Sequence, residues 1–254
     1  MPNLATHFNF ALRTLEALQD PMVEAHKGSF LLGCTTPDIR AVTKWKRDYT
    51  HFTPLEVEGV GDGTAGMFIA NPRLKEAMRR SPATRAFIAG YISHLTTDET
   101  WITHVYQPHF GNREEFPSEV EANVSDRALQ LDLDRQAWEE VLSIESVLDM
   151  LNGSDDGVSI GFIDSPTLAQ WRAWVVDFGR RPFSWGRLSF LVRRMYKEDQ
   201  EAQMVVESFL SGLYTNLNRV YSRVPKKRIK EFNEKSVSES VRLIKENLGE
   251  APLA

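Results

Sequence analysis

The stretch SPATRAFIAGYISHLTTDETWITHVYQP, residues 81–108, decides the fold class. Ser81 is a helix N-cap residue, Pro82 suits the first helical position, and Pro108 closes the segment. The helix so defined carries His94, Asp98 and His104. A helix turns about 100° per residue, so His94 and Asp98, four apart, project from one face about one turn apart. An imidazole and a carboxylate placed in this way make a two-point grip for a divalent cation. The bland alternative is a same-face His-Asp ion pair.

Outward from this segment the chain reads as helix after helix. His7 lies in an amphipathic first helix that Asp20-Pro21 stops, and Ser165-Pro166 repeats the Ser-Pro start. Residues 134–151 place Trp138, Val141, Leu142, Ile144, Val147 and Leu148 at helical spacing before Asn152-Gly153. Further helices are expected at 182–197 and 198–224. Ser236 with Glu239 three residues later reads as a capping box opening a last helix. Strand signals are weak and there is no internal repeat. The expected fold is all-α: a compact multi-helix single domain spanning residues 1–254. The longest irregular segments, about 46–64 and 107–118, flank the candidate metal residues.

Composition narrows the chemistry. The chain has 254 residues, 42% of them hydrophobic, enough for a sizeable core. Its one cysteine, Cys34, excludes an intramolecular disulfide and a cysteine-rich zinc site, so metal ligands must be His, Asp and Glu. No run approaches the roughly 20 apolar residues of a membrane span, and the acidic amphipathic N-terminus does not read as an export signal. A cytoplasmic location is therefore expected. The formal charge of −5 argues against bulk nucleic-acid binding. Two local basic segments, RRPFSWGRLSFLVRR at 180–194 and PKKRIK at 225–230, could still meet phosphate backbone or an anionic membrane surface. The simpler reading is that their charges line solvated helix faces.

His7 in the first helix, the turn Gly33-Cys34-Thr35-Thr36-Pro37-Asp38, Thr50-His51-Phe52, and His94-x-x-x-Asp98 followed by His104 occur in a definite order. In that order the chain resembles the zinc-dependent prokaryotic phospholipase C family, a fold shared with single-strand-specific zinc nucleases. The resemblance covers roughly the first 110 residues. It implies that Asp38, His51, His94 and Asp98 hold one zinc, and that Asp98 bridges to a second zinc also bound by His7. His104 would belong to a third site. That site looks incomplete, because no histidine follows His109 and Ser118 and Ala122 stand where the family's downstream pair would fall. Glu119 and Glu121 are substitutes by position only. In secreted relatives the N-terminal residue is also a ligand, which would require removal of Met1 and use of Pro2 here.

The implied activity is hydrolysis of phosphoester bonds. Zinc with an open coordination position lowers the pKa of its bound water from about 16 to about 7, and two bridged ions can stabilise an in-line displacement at phosphorus. Asp38 is also the candidate acceptor of the attacking water's proton, although ligand and base roles compete for the same oxygens. Asp48, Thr97 and Glu99 are candidates for orienting the imidazoles. Trp45, Tyr49 and Phe52 could wall a pocket or simply anchor their loop. The expected substrate is a small phosphoester or phospholipid, with nucleic acid less favoured. A rival reading is a degenerate family member that binds metal, lipid or nucleic acid without catalysis. A His-Asp-domain phosphohydrolase is disfavoured because no adjacent His-Asp pair occurs.

Overall fold

A computed structural model describes residues 3–55, 57–140, 144–197 and 199–249, and among them there is no strand. The helices are α1 Leu4–Leu18, α2 Pro21–Ala25, α3 Lys27–Gly33, α4 Arg40–Thr43, α5 Asp48–His51, α6 Asp62–Ala70, α7 Leu74–Arg80 and α8 Pro82–Trp101. They continue as α9 Gln107–Phe110, α10 Glu119–Glu140, α11 Ile144–Asp149, α12 Ser165–Gly179, α13 Gly186–Tyr196, α14 Gln200–Ser211, α15 Leu213–Arg223 and α16 Lys226–Leu248. Val141 and Leu142, expected in a continuous helix, and the candidate ligand Pro2 lie outside the described residues.

Helix α8 is the axis of the molecule, and every residue from Ala83 to Trp101 is buried. A fully buried helix normally reads as apolar all round, yet α8 is rich in Ser and Thr. Their hydroxyls are satisfied within the helix: Thr96, Thr97 and Thr100 donate to the carbonyls of Ile92, Ser93 and Thr96 at 2.7–2.9 Å. Helices α1, α2, α3, α6, α7 and α16 pack around α8. The approach of α3 is set by two glycines. A Cβ on Gly33 would lie 2.0 Å from the Phe87 carbonyl oxygen, and one on Gly90 would lie 1.9 Å from that of Phe30.

A second core joins α10 to α13, α14 and α15. It is tied to the first because α1, α8 and α16 feed both: Phe8, Leu95 and Leu243 pack in one, and Phe10, Trp101 and Phe232 in the other.

Several boundaries differ from the sequence expectation. Pro108 does not end the long helix. After α8 the chain widens into a π-helical turn, Ile102–Tyr106, in which Gln107 N–H donates to the Ile102 carbonyl. This wider ladder carries the chain into α9, where Pro108 occupies an early position that needs no N–H. The expected helix 198–224 is broken at Gly212 into α14 and α15. Ser236 does not start a helix; it is fully buried inside α16, which begins ten residues earlier after Pro225. The irregular segment 46–64 contains α5 and the start of α6.

Candidate metal centre

The site gathers side chains from four places along the chain. His7 comes from the first turns of α1, Asp38 from the 3-10 turn Thr36–Ile39, His51 from the end of α5, and His94 and Asp98 from α8. Asp98 is the centre. Its Oδ1 lies 3.5 Å from His7 Nε2, and its Oδ2 lies 3.3 Å from His51 Nε2 and 3.6 Å from His94 Nε2. Asp38 Oδ1 is 3.9 Å from His51 Nε2 and its side chain is 43% exposed, whereas those of the three histidines and Asp98 are at most 2% exposed. Two groups therefore have donor atoms close enough to share an ion: His7, His94 and Asp98, and Asp38, His51 and His94.

Hydrogen bonds aim the rings. His94 Nδ1 lies 2.8 Å from the Cys34 carbonyl oxygen, which can only accept, so Nδ1 carries the proton and Nε2 presents its lone pair. The close α3–α8 contact makes this possible, since Gly90, one turn before His94, sits against Phe30 and Cys34. Thr50 Oγ1 donates to the Arg47 carbonyl at 3.2 Å and accepts from His51 Nδ1 at 3.1 Å, which again leaves Nε2 as the lone pair. Tyr91 fixes this turn from α8 by donating to the Thr50 carbonyl at 2.5 Å. The expected orienting residues have other tasks. Thr97 bonds its own helix, and Glu99 accepts from Gly61 N and Gly63 N at 2.6 Å each, capping the start of α6. Burial raises the Glu99 pKa to about 7. Trp45 and Tyr49 stack edge to face, Tyr49 donates to the Phe162 carbonyl, and Phe52 packs on Tyr91 and Phe162, so these aromatics anchor the loop.

The centre has an electrostatic demand of its own. Burial lowers the pKa of His7 and of His51, keeping both neutral near pH 7. For His94 burial acts in the same direction, but Asp98 more than reverses it and the pKa is raised. For Asp98 burial alone would raise the pKa, yet the surrounding imidazoles hold it well below the usual carboxylate range. Asp98 is thus an ionised carboxylate in the interior. Neither of its oxygens has a hydrogen-bond partner, nor do His51 Nε2, His94 Nε2 or either nitrogen of His7. Buried polar atoms are nearly always satisfied, and a buried carboxylate whose oxygens accept no hydrogen bond is costly. Imidazole nitrogens and carboxylate oxygens left open toward a common point are the donor set that suits zinc.

His104 does not join the others. The π-helical turn places it beside α16, where its Nε2 lies 2.7 Å from Lys235 Nζ and its Nδ1 lies 2.7 Å from Thr103 Oγ1. Thr103 donates onward to the Glu99 carbonyl, so His104 Nδ1 carries the proton and the Nε2 lone pair faces an ammonium group rather than an open position. His104 thus stands apart from the five converging residues, where the expectation of a separate third site also put it. Glu121 borders a different cavity of about 520 Å³ between α10, α14 and α15. Arg47, unmarked in the sequence, places one guanidinium nitrogen 3.6 Å from Asp98 Oδ2 and donates with another to the Thr53 carbonyl at 2.8 Å.

Residues 6–128 match the family model described as zinc dependent phospholipase C, and over that segment the chain is similar to this family. No curated protein and no solved structure gives a significant match. The matched segment contains all of the converging His and Asp residues, and it ends within α10.

Proposed function

We propose that the chain is a zinc-dependent phosphoric ester hydrolase of phospholipase C type, with His7, Asp38, His51, His94 and Asp98 as metal ligands. The observation that carries this reading is the set of buried ring nitrogens and carboxylate oxygens around Asp98 that lack hydrogen-bond partners. Asp98 Oδ1 faces His7 and its Oδ2 faces His51 and His94, so zinc bound here would be held by these side chains together with Asp38. Zinc in such a centre supplies a Lewis acid that brings the pKa of bound water close to 7 and offsets charge at phosphorus.

The protein's own residues do the rest. Cys34 and Thr50 hold His94 and His51 so that their Nε2 lone pairs need no reorientation on binding. Asp38, the solvent-facing carboxylate, is the proposed acceptor for the proton of the attacking water. Arg47, beside Asp98, is the proposed contact for a phosphate oxygen. The proposed substrate is a small phosphodiester or phospholipid, and the proposed setting is a single domain, 1–254, acting in the cytoplasm. Among the described residues no helix is long and apolar enough to cross a membrane.

The non-catalytic rival draws less support. In the segment 225–230, Lys227 and Arg228 pair with Glu231 and Lys230 with Glu234. In 180–194, Arg181 pairs with Asp177 and Arg187 lies over Phe178 and Phe183. Much of this charge is thus used inside the fold. The test is protein purified without chelator, assayed for zinc by elemental analysis and for hydrolysis of bis(p-nitrophenyl) phosphate. Zinc and turnover that both disappear in Asp98→Asn are expected. A chain that takes up no zinc on reconstitution, or turnover that survives the substitution, would reject the reading.

A further inference from the structure

The cavity of about 520 Å³ between α10, α14 and α15 is lined by none of the proposed metal ligands. Two of its walls, α14 and α15, lie beyond the segment matched to the phospholipase C family. Its volume falls within the roughly 300–1,000 Å³ of small-molecule sites. The buried part of the lining is apolar: Phe110, Val124 and Val220 are at most 5% exposed and Phe209 is 8% exposed. Met204 lines it too, with 63% of its surface exposed, and an unbranched thioether adapts readily to an apolar guest.

The charges along the cavity select the ligand. Arg223 is already engaged: its Nη1 donates to Glu115 Oε2 at 2.9 Å, its Nη2 to the Glu115 carbonyl at 3.0 Å, and its guanidinium lies 4.0 Å from the centre of the Phe116 ring. Glu121 stands in the first turn of α10, where the helix dipole favours a carboxylate. Arg219 is the group left over. It is exposed, donates one long bond of 3.4 Å to Asn216 Oδ1, and has no carboxylate partner among the described residues. Asn216 is itself held by the Phe209 carbonyl at 3.0 Å, which ties the Arg219 contact to the apolar wall. A guanidinium with spare donors beside an apolar cavity fits an anionic group carried on a hydrocarbon body.

We propose that this cavity binds a single-chain anionic amphiphile, with its tail against Phe110, Val124, Phe209 and Val220 and its head at Arg219. The site is independent of the metal chemistry. Its test is isothermal titration calorimetry of the full chain with laurate, dodecyl phosphate and dodecyltrimethylammonium, each below its micellar concentration. Both anions bind, the tighter of them identifying the head as carboxylate or phosphate, and the cation does not. From octanoate to laurate the affinity rises about two- to fourfold per added methylene, as tail burial requires. Arg219→Gln weakens laurate binding about two- to fivefold, the range of a solvent-facing charge pair. Ser208 lines the cavity from an exposed position, and only its carbonyl takes part in hydrogen bonds. Ser208→Trp therefore fills the cavity, and it abolishes laurate binding with the thermal midpoint unchanged. Binding that is equal for the cation, indifferent to chain length, or unmoved by both substitutions overturns the proposal, as does no binding of either anion.

Discussion

Two histidines of the centre, His51 and His94, depend on neighbours that are not themselves candidate ligands. Thr50 is the clearest case, because its hydroxyl fixes the tautomer of His51 from the adjacent position. Thr50→Val keeps the shape and removes the acceptor; zinc affinity measured by competition with a chromogenic chelator is expected to fall about 10- to 100-fold. His104→Ala, by contrast, is expected to leave zinc stoichiometry unchanged, because Lys235 already faces that lone pair. At this scale the sequence was legible where ligand chemistry lies in side chains. His94 and Asp98 announced themselves by helical spacing, and His7, Asp38 and His51 by order. Backbone acceptors such as the Cys34 carbonyl carry no residue signature, and Arg47 looks like any charged loop residue. His104, expected at a separate third site, stands apart from this set in the π-helical turn, beside Lys235.

The crossing of α3 and α8 is the element on which the site depends. Gly→Ala inside a helix ordinarily stabilises by up to about 1 kcal/mol, but here the added Cβ would meet a backbone carbonyl at about 2 Å. Gly90→Ala is therefore expected to destabilise by roughly 1–3 kcal/mol in urea denaturation and to weaken zinc binding by moving His94 away from Cys34. A second prediction concerns α1. Asp134 of α10 accepts from Thr6 N at 3.0 Å at the start of the helix that carries His7, and burial raises its pKa from 3.8 to about 6. The folded chain thus retains a proton that the unfolded chain releases, so the Asp134 contribution is full below about pH 4 and is lost as pH rises through 6. Relative to Asp134→Asn, wild-type stability is expected to decline by up to about 3 kcal/mol between pH 4 and pH 7. Helix starts marked by Ser-Pro or Asp-Pro were readable from local chemistry. The interior of α16 was not, because Ser236 and Glu239 mimic a cap that tertiary burial overrides.

Across the whole molecule, the proposed ligands lie on α1, the turn after α3, α5 and α8, so binding cross-links segments that are distant in the chain. A ligand present at a hundred times its Kd stabilises the folded state by about 2.7 kcal/mol. For a chain of this size, that is expected to raise the unfolding midpoint by roughly 5–10 °C, reversed by chelator and absent in Asp98→Asn. The all-α class was legible because helix punctuation recurs along the chain. The two-core arrangement was not, since no sequence signal shows that α1, α8 and α16 serve both.

The most direct measurement is anomalous X-ray diffraction across the zinc edge, on crystals of protein purified without chelator. The expected result is anomalous density on both sides of the Asp98 carboxylate, at about 2.0–2.2 Å from its oxygens and from the Nε2 atoms of His7, His51 and His94. Zinc held elsewhere, or no anomalous density beside Asp98 in zinc-soaked crystals, would contradict the assignment.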